Sequence, residues 1–291
     1  MTFFILLLVT ILFINNNQVV ISGASYGLML WYKNVLPLLL PFMLISGLME
    51  NYVLNHMQQK PHNKKLPILT IVFLGLLCGY PIGAKTNSYF VKHNIINIPL
   101  GNILLPICNN VSPMFFLGFI LVNVLNTRLS PVVGYFIIYL PYIAIFLIEL
   151  LIFKTNNKNT PKSSNQDSII TTSLNITEQS INQITHVGLY IMLCSIAIEF
   201  ISYIDYISTS AKPVLAGITE ITRGATTIAE SGALDYKTKT ALILACTSWG
   251  GISSVMQTHK VVQGSGLSLL HYIIIKIICA ISTYYLCLLV I

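Results

Sequence analysis

Long stretches of this chain contain no charged residue, and this feature limits its fold more than any other. Residues 1–32 and 94–127 hold no Lys, Arg, Asp or Glu. Only 9% of the 291 residues are charged and 55% are hydrophobic, whereas an average soluble domain carries roughly 25% charged residues. Such a chain cannot cover a water-exposed surface. We therefore expect an all-α polytopic membrane protein, a transmembrane helical bundle whose first partner is the lipid bilayer.

The net charge of +7 does not indicate a nucleic-acid partner, because the cations are scattered between apolar runs. In a membrane protein, loop Lys and Arg residues report topology instead. Five of the six cysteines lie well inside apolar stretches, Cys287 lies near the end of one, and no CxxC motif occurs. We interpret the cysteines as packing residues and expect no metal site and no cofactor.

Spans of about 20 largely apolar residues are needed to cross a bilayer. Residues 1–33 form an N-terminal membrane region, either one long helix or a short helix followed by an interfacial segment, because Asn15 to Gln18 interrupt it. A removable signal peptide is not expected, since no positive n-region and no small-residue cleavage site precede Asn15. Conventional spans are predicted at 35–52, 129–153, 185–204 and 267–291.

Four further apolar segments are interrupted by Gly, Pro or polar residues, and we expect them to form broken or re-entrant helices. They are 66–84, 94–127, 213–229 and 240–256. The order of a span, two interrupted segments and a closing span occurs twice along the chain. We therefore predict two repeats, at 34–153 and 185–291, joined by a polar linker at 154–184.

The two repeats share three short identities in the same order, although chance is an alternative explanation for so few. These are Glu50 with Glu199, Gly83-Ala84 with Gly224-Ala225, and Cys108 with Cys246. Three full crossings per repeat, an odd number, would turn the second repeat upside down relative to the first, as in transporters with inverted repeats.

The distribution of cations predicts which side of the membrane is cytoplasmic. If 66–84 and the next helix form a re-entrant hairpin, one side of the membrane holds Lys60, Lys64, Lys65, Lys92, Lys154, Lys158, Lys162 and Lys260. The other side holds Lys33, Arg128, Lys212, Lys237 and Lys239. Eight cations against five make the first side, with the linker, cytoplasmic under the positive-inside rule.

The first motif is Gly79-Tyr80-Pro81-Ile82-Gly83-Ala84-Lys85, followed by Asn87. Unwound backbone at membrane depth occurs only where protein or water satisfies its polar groups, so this break indicates a cavity or a tight protein contact. The candidate solute-binding residues are Gly79, Pro81, Gly83, Lys85 and Asn87. The alternative is that Lys85 snorkels to the interface while the glycines allow close helix packing.

The second motif, Cys108-Asn109-Asn110-Val111-Ser112-Pro113, lies in the middle of the charge-free window 94–127. Amides and hydroxyls deep in a span need hydrogen-bond partners, and Pro113 frees a carbonyl of the preceding turn. Asn109, Asn110 and Ser112 are therefore candidates to line a path for a nucleoside-like or other uncharged polar solute. Hydrogen bonding between helices is the alternative.

The third motif runs from Gly217 to Gly224 and contains Glu220 and Arg223. Ionisable residues in membrane segments are costly and are functional candidates by default. Glu220 would bind a sugar hydroxyl, a cation or a coupling proton. Alternatively the two residues only neutralise each other, because an acid and a base three residues apart share a helix face.

The fourth motif begins at Ser248-Trp249-Gly250-Gly251 and extends past Gln257. Its Gly-Gly break stands where Ser112-Pro113 stands in the first repeat, and we predict that the two breaks face each other near the midplane. Ser248, Gly250, Gly251 and Gln257 are the candidate binding residues. Small-residue packing explains the glycines and serines as well, but Gln257 less readily.

Together these motifs resemble a known family. The segment from Gly27-Leu28-Met29-Leu30-Trp31 to Leu40-Pro41-Phe42 and the motifs above are similar to the YlbJ-type sporulation integral membrane proteins. That family belongs to the nucleoside recognition, or Gate-domain, group, which is also similar to parts of concentrative nucleoside transporters and of the ferrous iron transporter membrane domain. The resemblance covers nearly the whole chain and implies two Gate-like repeats, a bacterial cytoplasmic membrane and a role in sporulation.

No Walker motif and no nucleophile–base arrangement occurs, so we expect neither an enzyme nor direct use of ATP. The sequence favours a permease or exporter of a small polar solute, nucleoside-like or another metabolite. A non-transporting scaffold for spore or envelope assembly is the main alternative. A cation pathway is a third, although His186, His259 and His271 share no ligand spacing. Homo-oligomerisation is left open.

Overall fold

The computed structural model describes residues 2–59, 66–152 and 173–291, and their regular structure is helical. The helices of the first part are α1 (Thr2–Asn15), α2 (Asn17–Leu30), α3 (Leu36–Gln59), α4 (Leu66–Cys78), α5 (Ile82–Lys92), α6 (Ile98–Cys108) and α7 (Pro131–Ile152). Those of the second part are α8 (Ser173–Ser202), α9 (Ala211–Thr219), α10 (Ile221–Glu230), α11 (Tyr236–Trp249), α12 (Gly251–Val262) and α13 (Leu269–Val290). Two π-helical segments, Trp31–Val35 and Phe115–Val124, lie between them.

Among the described residues, four helical stretches are long and apolar enough to cross a bilayer. They are Asn17–Met49, Pro131–Ile152, Thr177–Ser202 and Leu269–Val290. Other apolar helices, such as α4 with 13 residues and α6 with 11, are shorter than the about 20 residues that a span requires. The described part of the chain is therefore all-helical and combines four long apolar helices with several short ones.

The first long stretch begins earlier than the sequence predicts. Asn16 ends α1, and its side-chain amide donates to the carbonyl of Leu12 at 3.0 Å. From Asn17 the chain then stays helical through the π-helical turn into α3, so the boundary predicted at residue 33 lies inside one helix. The π turn ends at Val35, two residues before Pro37. Proline has no N–H to donate, and such irregular turns let a membrane helix tolerate it.

The linker predicted at 154–184 is only partly described. Residues 173–184 belong to α8, which therefore starts earlier than the predicted span at Thr185. The rest of that segment lies outside the described residues, as do Lys60, Lys64 and Lys65 and the side chain of Glu50.

Helix α2 packs closely against α8 through the small residues Gly23 and Gly27. A Cβ added to Gly23 would lie 2.8 Å from the Cα of Ile196, and one added to Gly27 would lie 2.9 Å from the Cα of Met192. Two glycines four residues apart let the backbones of two membrane helices approach each other. This contact joins the start of the chain to its second half.

Each half also contains a pair of short helices, α4 with α5 and α9 with α10, and each pair packs on one further helix. In the first half, a Cβ on Gly83 would overlap the carbonyl oxygen of Cys108 on α6. In the second half, a Cβ on Gly224 would overlap Gly217, whose own Cβ would overlap the thiol of Cys246 on α11. Gly83 and Gly224 thus both lie at close helix contacts, but Gly83 approaches Cys108 directly whereas Gly224 approaches Gly217.

Candidate functional site

The four predicted helix interruptions are present, and those of each half contact each other. Helices α4 and α5 are separated at Gly79, and the backbone N–H of Tyr80 donates to the carbonyl of Asn110 in the next break at 2.9 Å. In the second half α9 and α10 are separated at Glu220, and a Cβ on Gly251 would lie 2.9 Å from the Cα of Glu220. Gly79 and Gly250 have φ angles of +70° and +85°, a conformation that glycine adopts without strain.

The two halves meet at a cavity of about 70 Å³ that all four breaks help to line. The phenol oxygen of Tyr80 lies directly over Gly250, where a Cβ would overlap it. The polar side of the cavity consists of Tyr80, Ser112, Glu220, Thr222, Gly250, Ser253, Ser254 and Gln257. Its apolar side consists of Val35, Leu39, Val111, Phe115, Val187, Ile191 and Ile221. Ser112 and Gly250, whose breaks we predicted to face each other near the midplane, both line this cavity.

Glu220 is the carboxylate of this cavity, and only 2% of the residue is exposed. It caps α10: one oxygen accepts from the Thr222 hydroxyl at 2.9 Å and the other from the backbone N–H of Arg223 at 2.8 Å. A carboxylate at a helix N-terminus is stabilised by the unpaired N–H groups and by the helix dipole. The cap explains how an acid can be held at this depth without a cation beside it.

The ion pair between Glu220 and Arg223, the alternative to a binding role for Glu220, does not form in the structure. The Arg223 guanidinium instead pairs with Glu199 on α8 and donates to the carbonyl of Ser195 at 2.7 Å. It also lies 4.4 Å from the ring centre of Tyr26 on α2. The reason is the extended backbone of Glu220, with φ −153° and ψ 134°, which removes it from the helical face that carries Arg223.

Lys276 is a functional candidate that the sequence analysis missed. It lies on α13 with none of its surface exposed. Its ammonium donates to the Tyr80 phenol at 2.6 Å, to the side-chain oxygen of Asn110 at 2.7 Å and to the carbonyl of Asn109 at 3.4 Å. The rings of Tyr80, Tyr142 and Tyr272 lie 5.0, 5.1 and 5.8 Å away. All of these partners are neutral.

The sequence did contain a signal for this residue. Lys276 is the single Lys, Arg, Asp or Glu between residues 267 and 291, in the middle of a predicted span. Such a residue is a functional candidate by default. Its partners could not be read from the chain, because Tyr80 is 196 residues away.

Several other candidates hold helices together outside the cavity. The amide nitrogen of Asn109 donates to Thr258 at 2.8 Å and to Tyr272 at 3.1 Å. The side-chain amide nitrogen of Asn87 donates to the carbonyl of Gly101 at 2.8 Å. The Ser248 hydroxyl donates to the phenol oxygen of Tyr142 at 3.2 Å. These contacts fit the alternative of hydrogen bonding between helices.

The fourteen candidates therefore divide into those at the cavity and those around it. Lining it are Ser112, Glu220, Gly250 and Gln257. Absent from the lining are Gly79, Pro81, Gly83, Lys85, Asn87, Asn109, Asn110, Arg223, Ser248 and Gly251, of which Lys85 is exposed. The polar lining residues that the sequence analysis did not single out are Tyr80, Thr222, Ser253 and Ser254.

All six cysteines are buried and unlinked, and within the described ranges no group of three potential metal ligands occurs. No family model, no curated protein and no solved structure matches this chain. The similarity to the YlbJ-type proteins thus stays a prediction from the motifs. What the protein does has to be inferred from the geometry of the cavity and its charges.

Proposed function

We propose that this protein is a permease or exporter that carries a small polar solute across a bacterial membrane. The observation that supports it is the meeting of four helix breaks at one cavity that has polar groups on one side. Irregular backbone at membrane depth is tolerated where it lines a cavity, and in transporters broken helices form the solute site near the midplane. A scaffold that only binds other proteins has no need of such a site.

We further propose that the two halves are inverted copies. Each contains a long helix, a pair of short helices, a helix broken in its middle and a closing long helix. The contacts are reciprocal: α5 of the first half meets α12 of the second, and α10 of the second meets segment 115–124 of the first. Rocking of one such half against the other would open the cavity to each side in turn.

The dimensions of the cavity favour a small solute. Its volume of about 70 Å³ is far below the roughly 300–1,000 Å³ of pockets for drug-sized ligands. In the conformation described here its volume is too small for a nucleoside. A nucleoside would need the halves to separate, whereas a solute of a few heavy atoms would fit with little change.

Solute flux into reconstituted vesicles tests this function. Purified protein is placed in vesicles, and the uptake of radiolabelled amino acids, nucleosides, sugars and organic acids is compared with protein-free vesicles. We expect uptake of at least one class, and its loss in Ser112→Ala and Glu220→Gln, which both change the cavity. Asn123→Ala, at an exposed position, is the control and keeps the uptake. Folded protein that transports none of these solutes would contradict the proposal.

A further inference from the structure

We infer that the solute of this cavity is a small zwitterion that carries both a carboxylate and an ammonium group, as a short amino acid does. The inference rests on the proposed function and names its substrate class. It derives from two buried ionisable side chains: Glu220, which lines the cavity, and Lys276, which reaches it only through Tyr80. Within the part of the chain that the structure describes, neither forms an ion pair.

The acidic side of the cavity is Glu220. Arg223 does not neutralise it, because the guanidinium is engaged by Glu199 and by the carbonyl of Ser195. An ionised carboxylate offers about four acceptor positions, and the cap uses two of them, for Thr222 and for the backbone of Arg223. Burial raises the pKa of Glu220, and a solute ammonium group beside it would stabilise the ionised form. Glu220 is therefore placed to accept hydrogen bonds from a solute cation.

The basic side of the cavity is the pair of Lys276 and Tyr80. Lys276 does not line the cavity itself, and its three hydrogen bonds go to neutral oxygens. Tyr80 does line it, and its phenol oxygen accepts from the ammonium at 2.6 Å. A hydroxyl that accepts from a cation is a stronger donor, and the proton of Tyr80 stays available for the cavity. Lys276 is thus a positioning residue that acts on a solute anion through Tyr80.

The hydroxyl groups of Ser253 and Ser254 lie beside Tyr80, at the end of the cavity that would hold the solute carboxylate. Ser253 and Ser254 lie in the first turn of α12, line the cavity and are buried. The N-terminus of α12 directs its unpaired N–H groups and the positive end of its dipole to this place. Ser254 donates its hydroxyl proton to the carbonyl of Gly251 at 2.9 Å, which leaves Ser253 and Tyr80 to donate to a solute carboxylate.

A zwitterion is favoured over the other solutes because it offers a partner of opposite charge to both groups at once. A neutral solute offers such a partner to neither group, and a solute with one charge offers it to one of them. At low dielectric the charged form of a buried group is stabilised by a partner of opposite sign. The cavity of about 70 Å³ also limits the solute to a few heavy atoms, which glycine and alanine satisfy.

The test is binding of matched small molecules to the purified full-length chain, measured by calorimetry and by the melting temperature. The probes are alanine, acetate, methylamine and uridine. We expect alanine to bind at least tenfold more tightly than acetate or methylamine. In Glu220→Gln this preference over acetate disappears, and in Lys276→Met the preference over methylamine disappears. Lys237→Met, at an exposed position, is the control and keeps both preferences.

The outcomes distinguish this inference from the proposed function. If uridine or another uncharged solute binds as tightly as alanine and is transported, the zwitterion assignment is wrong while the transport function stands. If no solute binds and none is transported, the transport function is wrong as well. If Lys276→Met does not fold, the wild-type series and Glu220→Gln decide, and equal affinities for alanine and acetate in the wild type would overturn the inference.

Discussion

The ammonium nitrogen of Lys276 lies 2.7 Å from the side-chain oxygen of Asn110, so that the last long helix is tied to the break that follows α6. Asn110 is itself held in place, because its amide nitrogen donates to the carbonyls of Pro106 and Ile107 at 3.0 and 3.2 Å. The orientation of the amide leaves its oxygen for Lys276 alone. A single buried cation therefore fixes the first half of the cavity to α13.

Replacing Asn110 with Ala should lower the stability of the protein. The change removes the side-chain acceptor of a fully buried ammonium, and a buried polar group left without its partner costs about 1–3 kcal/mol, or more when it is charged. Denaturant unfolding in detergent measures the loss. The exposed Asn123→Ala serves as a control and should change the free energy of unfolding by less than about 0.5 kcal/mol. Equal effects of the two substitutions would disprove the role given to Asn110.

Adding a methyl group at the paired glycines should be destabilising in both halves. A Cβ on Gly83 overlaps the backbone of Cys108, and one on Gly224 overlaps Gly217, whereas Gly232 has open space around it. Overpacking costs typically about 1–3 kcal/mol. We expect Gly83→Ala and Gly224→Ala each to lower the melting temperature and Gly232→Ala to leave it nearly unchanged. A normal melting temperature for either of the first two would show that its helix contact is looser than described.

A double-mutant cycle should assign the partner of Arg223. Breaking a buried ion pair by removing one member costs about 3–5 kcal/mol, because the other charge is left alone. Arg223→Met and Glu199→Met should each be destabilising, and the double variant should be much less so than their sum. The parallel cycle of Arg223→Met with Glu220→Gln should be additive within about 0.5 kcal/mol. Strong coupling in the second cycle would show that the side chain of Arg223 interacts with Glu220, its neighbour in sequence.

Cysteines introduced at the ends of the short helices should report the proposed inversion. Lys92, Lys260, Arg128 and Lys237 are exposed, and the native cysteines are buried. We expect Lys92→Cys and Lys260→Cys to react with a membrane-impermeant thiol reagent only from the cytoplasmic side. Arg128→Cys and Lys237→Cys should react only from the other side. Labelling of Lys92→Cys and Arg128→Cys from the same side would rule out the inverted arrangement.

The helix breaks were predictable because their causes are local. Glycine and proline weaken a helix wherever they stand, and Gly79, Pro113 and Gly250 each mark an interruption that the structure contains. The long helices were predicted from the lengths of their apolar segments. The start of α8 was missed, because a polar sequence such as that of residues 173–184 lowers hydropathy without preventing a helix.

The site was less predictable, because its contacts join distant parts of the chain. Glu220 was found from the cost of a carboxylate in an apolar segment, but its cap depends on an extended backbone that spacing alone does not reveal. Lys276 is a lone cation in an apolar span and was overlooked, and its role depends on Tyr80 and Asn110, which lie in the other half of the molecule. Local pattern locates such residues, and only the packing of helices assigns their partners.

The central claim, that the meeting point of the four breaks is a solute path, is tested most directly by access to Gln257, which lines the cavity. Gln257→Cys is placed in vesicles and treated with a membrane-impermeant thiol reagent, added to one side at a time. A path that opens to each side in turn predicts labelling from both sides, slower than at the exposed Lys92→Cys. Labelling from neither side, or from one side alone, in folded protein would contradict the account.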